Sequence, residues 1–524
     1  MDSTHDIVIV GGGHNGLTAA AYLARAGRSV LLLERDDHVG GAAISADAFA
    51  GVGARLSRYS YLVSLLPARI IEELGLSIEL ARRRYSSYTP DPANPSNGLL
   101  VDSGDQAATR ASFDRIGAGE DTSGWAQLGD DLGGLARALF PTVCEPLPTR
   151  SEARRLVGDD DLWNEVIEHP LGDMLTRRFG TDLVRGVVAT DGLIGTFTSV
   201  HDASLDANRC FLYHSIGNGT GDWDVPLGGM GAVTGELERV ASAAGARILT
   251  GAEVTGVDPD GAVRYRVDGR EETVRGGRVL ANVAPWVLRG LLGQAPGEKP
   301  EGAQVKVNLL LHRLPRLLDP AVSPTAAFGG TFHINETLTQ LEGGYAMARS
   351  GQIPTPLPCE IYCHSLTDPS ILSPDLVAAG AQTLTVFGLH TPDRLAQEDN
   401  AGLRARLQTA VLASLNSVLA EPIESLLLTD GAGAPCIETK TTADLEEALN
   451  LPGGDIFHGL LSWPFLEDDA PRDTAAERWG VATRHPRILL CGAGARRGGG
   501  VSGLGGHNAA MAVLEAEVTE GSGA

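Results

Sequence analysis

The sequence predicts an α/β fold in which a parallel sheet, extended by a β-meander, is interrupted by an inserted α+β domain. Three observations predict it. HDIVIV at residues 5–10 is a β-branched run that leads straight into a glycine loop and an alanine-rich helix. A helix, a strand and two Asp-Gly turns recur between residues 226 and 284. RILLC at 487–491 is another buried strand that feeds a glycine loop and a helix.

With 524 residues, 43% of them hydrophobic, the chain exceeds what one growing core accommodates, so two domains are expected. The balance of 42 Lys and Arg against 66 Asp and Glu gives a net charge of −24, which repels nucleic acid and anionic lipid. No uninterrupted apolar run reaches the roughly 20 residues that span a bilayer, and no signal-peptide pattern precedes the first strand. A soluble, cytoplasmic protein is expected, with oligomeric state and peripheral membrane contact left open. None of the six cysteines forms C-x-x-C, and no metal-ligand cluster or Ser–His–Asp arrangement is legible, so no metal is expected.

HDIVIV suits a strand buried on both faces. GGGHNG follows at Gly11–Gly16 and matches G-x-G-x-x-G, with His14 and Asn15 inside it. Gly11 permits the tight turn, Gly13 lets backbone approach a pyrophosphate, and Gly16 lets helix and strand pack closely. The helix LTAAAYLARAG then offers its N-terminal N–H groups to phosphate. RSVLLLE ends on Glu34, eighteen residues past Gly16, where an acid meets a ribose hydroxyl. This is a Rossmann-like dinucleotide signature. Glu34 suits NAD or FAD equally. The Gly40-Gly41 doublet, read together with the first loop, points to FAD, against an ordinary turn as the alternative.

From Ser60 the text reads SYLVSLLPARIIEELGL, which ends as an amphipathic helix, and YTPDPANPSNG at 88–98 reads as a turn region. Helix-like and irregular segments run to about residue 215. GAVTGELERVASAAG then reads as a helix and ARILT as a strand, with hairpin turns at Asp260-Gly261 and Asp268-Gly269 and a return strand in GRVLANVAP. Val254, from its position, either presents backbone to an adenine or is plain sheet core. QVKVNLLLHRL and AQTLTVFGLHT read as strands and NAGLRARLQTAVLASLNSVL as an amphipathic helix. The expected division is a discontinuous FAD-binding domain of 1–75, 222–295 and 480–524, with a substrate domain of 76–221 and 296–479.

The second glycine loop, RRGGGVSGLGGHNAA at 496–510, lacks a following acid-ended strand. It is therefore expected to serve the far end of the first dinucleotide, its helix N-terminus facing the edge of a flavin where negative charge grows on reduction.

GGGHNGL…LLLERDDHVGGAA, SYLVSLL, SLTDPSILSP, GDIFHGLLSW and LLCGAG…GGGVSGLGGHNAA resemble the phytoene-desaturase-like flavoproteins, from residue 5 to beyond 510. Within them the chain is most similar to the branch called pyridine nucleotide-disulfide oxidoreductase domain-containing proteins. The resemblance implies an FAD-binding fold of the glutathione-reductase or amine-oxidase type. It also implies a dehydrogenase or desaturase that passes hydride from a lipophilic, isoprenoid or polyene substrate to flavin N5, with re-oxidation by oxygen or a quinone. Carried over by motif, Gly11, Gly13, His14, Asn15, Gly16, Glu34, Arg35, Gly40, Gly41, Ala42, Gly492, Gly503, Leu504, His507 and Asn508 are expected at FAD. The chain departs from the pattern at Arg496-Arg497, which replace a His-Pro-like pair, and in ERWGVATRHP, where a Tyr-Arg segment is common.

No catalytic residue is assigned. His507, in the first turn of the final helix, is a candidate whose ring could meet the flavin, against a capping or packing role. His458 is a candidate against a core histidine, and His333 and Tyr61 are weaker. Arg496 and Arg497 are either solvated loop charges or ligands for phosphate or a substrate carboxylate. Two other functions compete: an FAD-dependent amine or amino-acid oxidase, and a flavoprotein with a structural or assembly role.

Overall fold

A computed structural model describes residues 3–295 and 297–522. Five strands form a parallel sheet in the order Arg247–Leu249, Val30–Leu33, Ser3–Val10, Arg270–Ala281 and Ile488–Leu490. The first strand runs in register with the return strand from Ser3 opposite Val274 to Val10 opposite Ala281. Its period-2 alternation explains the apolar run: Ile7 and Ile9 join one core cluster and Val8 and Val10 another, so both faces are buried. Glu253–Val257 and Ala262–Val267 fold antiparallel onto the start of Arg270–Ala281 as the expected meander. Both of its turns use positive φ, Gly261 at 96° and the pair Asp268 and Gly269 at 48° and 73°. Asp and Gly tolerate that region best.

Helices His14–Arg25, Met230–Ala243 and Leu504–Ser522 cover one face of this sheet. The first and last cross so closely that a Cβ at Gly506 would stand 2.8 Å from the carbonyl carbon of Asn15.

A second seven-stranded sheet has the order Ile437–Lys440, Val305–Leu311, Gln382–Gly388, Cys359–Tyr362, Thr331–Ile334, Tyr85–Asp91 and Asn94–Asp102. All its pairs are antiparallel except Thr331–Ile334 with Tyr85–Asp91. The YTPDPANPSNG stretch corrects the sequence reading here, because most of it is strand rather than loop. Pro95 lies on the edge strand, and Pro90 lies beyond the Ser87 and Tyr88 pairings with the neighbouring strand. Neither missing N–H therefore costs a bond to Thr331–Ile334. Helices between Thr122 and Ile216 pack into a separate apolar cluster around Trp163, Phe179 and Phe211. The expected helix of NAGLRARLQTAVLASLNSVL is Asn400–Asn416, which buries Leu403, Leu407, Val411 and Leu415 on one face. All six cysteines are free and buried. Among the described residues, no helix is long and apolar enough to cross a membrane.

Candidate functional site

The first glycine loop is held in place by the acid that follows it. Glu34 accepts the Gly12 N–H at 2.6 Å with one carboxylate oxygen and the Asp36 N–H at 2.9 Å with the other. Asn282, at the end of the return strand, donates its amide to the carbonyl of Gly11 at 3.0 Å. Gly16 has no room for a side chain: a Cβ there would stand 2.8 Å from the Asn282 amide and closer still to the Gly11 carbonyl. Gly13 caps the following helix without a side-chain hydrogen bond, leaving the N–H groups of the first turn open. Gly40 donates its N–H to the Gly12 carbonyl at 2.9 Å and so brings the doublet against the loop.

The two glycine loops meet. The His14 ring, kept neutral by burial with its pKa lowered to about 4, donates Nε2–H to the carbonyl of Gly500 at 3.1 Å. One cavity of about 680 Å³ runs past this junction. Gly11, Gly13, His14, Asn15, Glu34, Arg35, Gly41, Ala42 and Val254 line it from the dinucleotide side, with Ala493, Gly500 and Val501 from the second loop. Both side-chain amide atoms of Asn15 are buried there without a partner, as is Nδ1 of His458. Burial lowers the His458 pKa to about 4, so it faces the cavity as a neutral imidazole.

Several expected contacts fall elsewhere. Gly16 and Gly40 support the loop from behind. Gly492, Gly503, Leu504, His507 and Asn508 do not line the cavity, which the second loop reaches through residues earlier than expected. His507 is the clearest correction. Its ring packs edge-on against Tyr22 at 5.1 Å and Trp479 at 6.0 Å, and Nδ1 bonds the Asn508 amide oxygen at 2.8 Å. Arg496 and Arg497 are also corrected: Arg497 is buried and Arg496 half-buried, and both guanidinium groups are spent on backbone carbonyls rather than left as free loop charges. Arg497 is 1% exposed and donates to the carbonyls of Val143, Glu145 and Pro464, while Arg496 donates to those of Trp463 and Phe465. They tie the loop to two distant segments. Burial lowers the Arg497 pKa to about 10.

Beyond the junction the cavity is walled by the second sheet and the helical cluster. Lys306, in the fully buried strand Val305–Leu311, donates Nζ to the Ser57 carbonyl at 2.8 Å and lies 5.0 Å from the Tyr61 ring centroid. Burial brings its pKa down to about 7. Tyr61 packs on Tyr362 at 4.7 Å, and Tyr362 donates its hydroxyl to Glu360 at 2.6 Å. Behind them, buried His333 bonds Glu336 at 2.6 Å. The acids missed by the sequence reading, Asp191, Glu336 and Glu360, come from three separate segments. Lys306 left a legible signal, as the one charge inside VKVNLLL.

A family model for an NAD(P)-binding Rossmann-like domain matches residues 9–68. Uncharacterized protein Rv0897c of Mycobacterium tuberculosis is 56% identical over 98% of this chain and 97% of its own. Pyridine nucleotide-disulfide oxidoreductase domain-containing protein 2 of Mus musculus is 29% identical over 97% of this chain and 93% of its own. The chain belongs to one family with Rv0897c, and it is similar to the Mus musculus oxidoreductase domain-containing protein over nearly its full length. The matched Rossmann-like model and the loop geometry agree on a dinucleotide-binding Rossmann fold. Putrescine oxidase shares the fold, with a TM-score of 0.59 and 19% identity over 99% of both chains. The name of the Mus musculus relative carries the word disulfide, yet the six cysteines here are free and buried, and burial raises the thiols of Cys144 and Cys210 to about 12.

Proposed function

We propose that the protein is an FAD-dependent oxidoreductase that removes hydride from a lipophilic substrate, with oxygen or a quinone as the final electron acceptor. The observation that carries this reading is the continuity of the cavity from the G-x-G-x-x-G loop, past the His14–Gly500 contact, to a chamber under the second sheet. The chain's own groups fit the cofactor: the open N–H groups after Gly13, the unpartnered Asn15 amide, the backbone beside Gly41 and the Glu34 carboxylate all face the cavity. When bound, FAD supplies a two-electron acceptor for a substrate C–H bond. Residues 1–75, 222–295 and 480–524 form its domain in this reading. The chamber walls exclude water and orient the substrate, and the Lys306 amine, neutral for much of the time near pH 7, can take up a proton at Nζ.

The test is direct. Purified protein should be yellow with flavin absorption bands, and Gly13→Val should abolish that colour while leaving a folded chain by circular dichroism. A colourless wild type that binds NAD instead would refute the reading. Anaerobic mixing of the yellow protein with polyenes, amines and NAD(P)H then identifies the donor class by which one bleaches the flavin.

A further inference from the structure

The far end of the cavity is built unlike its apolar walls. Asp191 sits just past the helix Asp182–Ala189, deep in the molecule, yet its side chain is exposed because the surface it presents is the cavity wall. Its carboxylate makes no hydrogen bond among the described residues. Glu360, 2% exposed, lines the same end and accepts only the Tyr362 hydroxyl. Glu336 stands behind it, fully buried, with Oε1 unpartnered.

Three carboxyl groups therefore converge with little fixed positive charge to meet them. Arg83 and Arg82 line the cavity, and Arg82 is paired with Asp222; among the described residues Arg83 is the guanidinium whose charge reaches Asp191 and Glu360. Arg83 donates to the Trp223 carbonyl and the Thr331 hydroxyl, both at 3.2 Å, and pairs with none of the three acids. His214 and His333 are kept neutral, because burial lowers both imidazoles. Burial also raises Asp191, Glu336 and Glu360, the last to about 8. The desolvation cost of these carboxylates is unmet within the chain, and a cation placed among them would offset it.

We propose that this end of the cavity is a subsite for an organic cation, the alkylammonium head of an amphipathic substrate, received between Asp191 and Glu360. That the cation is a substrate rests on the flavoenzyme reading above. Tyr362 and Tyr61 line the cavity beside the acids, packed on each other at 4.7 Å. An apolar body has its place next to the head. Val187 and Val188 line the cavity one turn before Asp191, and Trp125, Leu128 and Leu132 line it from one face of the helix Thr122–Leu139. A metal ion fits less well. The 2.6 Å contact of His333 with Glu336 is a hydrogen bond, whereas two atoms bonded to one ion at about 2.1 Å stand roughly 3 Å or more apart.

The experiment uses octylammonium, octanol and octanoate as probes on the purified full chain, read by quenching of tryptophan fluorescence, since Trp125 and Trp223 line the cavity. Octylammonium should bind at least tenfold tighter than either analogue, about 1.4 kcal/mol. Asp191→Asn should erase that preference while flavin content stays at the wild-type value and Tm does not fall, and Glu360→Gln should reduce it. Octanol binding equally well, octanoate binding tighter through Arg83, or an Asp191→Asn protein that keeps the preference would each overturn the subsite. So would Mn2+ that binds stoichiometrically and displaces octylammonium. Fluorescence does not depend on flavin, so a colourless protein that still prefers octylammonium would sink the flavoenzyme reading alone. A yellow protein without the preference would sink the subsite alone.

Discussion

Gly506→Ala tests whether the two glycine loops act as one cradle. The added Cβ would stand 2.8 Å from the Asn15 carbonyl carbon and 3.0 Å from the Ala19 nitrogen, and still nearer the Asn15 carbonyl oxygen. Heavy atoms pack at roughly 3.5–4.0 Å, so the overlap is about 1 Å. Every atom struck is backbone of the helix His14–Arg25, which cannot swing aside as a flexible side chain would. The first and last helices must separate, and the His14–Gly500 bond at 3.1 Å is lost with them. Overpacking of a rigid interior costs about 1–3 kcal/mol, and the backbone contacts place this case at the upper end. At roughly 2–4 °C per kcal/mol for a domain of about 200 residues, Tm should fall by about 6–12 °C. Retained flavin should fall with it, measured as the absorbance ratio of cofactor to protein after gel filtration. The matched control is Gly235→Ala on the exposed side of Met230–Ala243, where nothing lies within 4 Å of the new Cβ. That change should stabilise by about 1 kcal/mol through helix propensity alone. If Gly506→Ala melts with the wild type and keeps its flavin, the two loops are not mechanically coupled through this crossing.

Three further outcomes follow from the buried charges. Arg497→Lys should lower stability by about 3 kcal/mol in denaturant titration, because one ammonium cannot span carbonyls from three positions and those left without a donor stay buried. Glu360 is raised to about 8 from an ordinary value of 4.5, so between those values the folded state holds a proton that the unfolded state has released. Its contribution to stability therefore falls as pH rises from 5 to 8, and the Tm advantage of Glu360→Gln over wild type should widen across that range. Lys306 has the opposite sign, being lowered to about 7 from 10.5. Its penalty is complete below pH 7 and is relieved towards pH 10, so the Tm advantage of Lys306→Met should shrink over that interval. A parallel pair of pH curves for either variant would remove that group from the buried charge balance.

What could be read from the sequence was what local pattern dictates. HDIVIV, the G-x-G-x-x-G loop, the Asp-Gly turns and the helix at Asn400–Asn416 each announce themselves within a dozen residues, because strand alternation, positive φ and helical periodicity are short-range demands. What stayed hidden depends on chain that returns from far away. The strand Tyr85–Asp91 pairs with Thr331–Ile334, a partner far along the chain that turns a Pro-rich stretch into an inner strand of a sheet. Arg497 reads in sequence as either a solvated loop charge or a ligand for an anion, and only the fold brings Val143, Glu145 and Pro464 to supply carbonyls for it.

His507 shows the same limit in the opposite direction. Its place at a helix N-terminus was correctly read, but a position along a helix does not say which way the ring turns. That direction is set by Tyr22 and Trp479, which bury the imidazole away from the cavity. The loop's contribution to the cavity wall then comes from Ala493, Gly500 and Val501, small or short residues, and not from the His507 ring. They reach the cavity while the helix behind them is locked by Gly506 against Asn15. A loop that packs this closely needs small residues where another backbone approaches. That requirement explains a second glycine-rich stretch nearly five hundred residues after the first: the two are halves of one close contact, and the chain between them folds into the walls of the cavity they share.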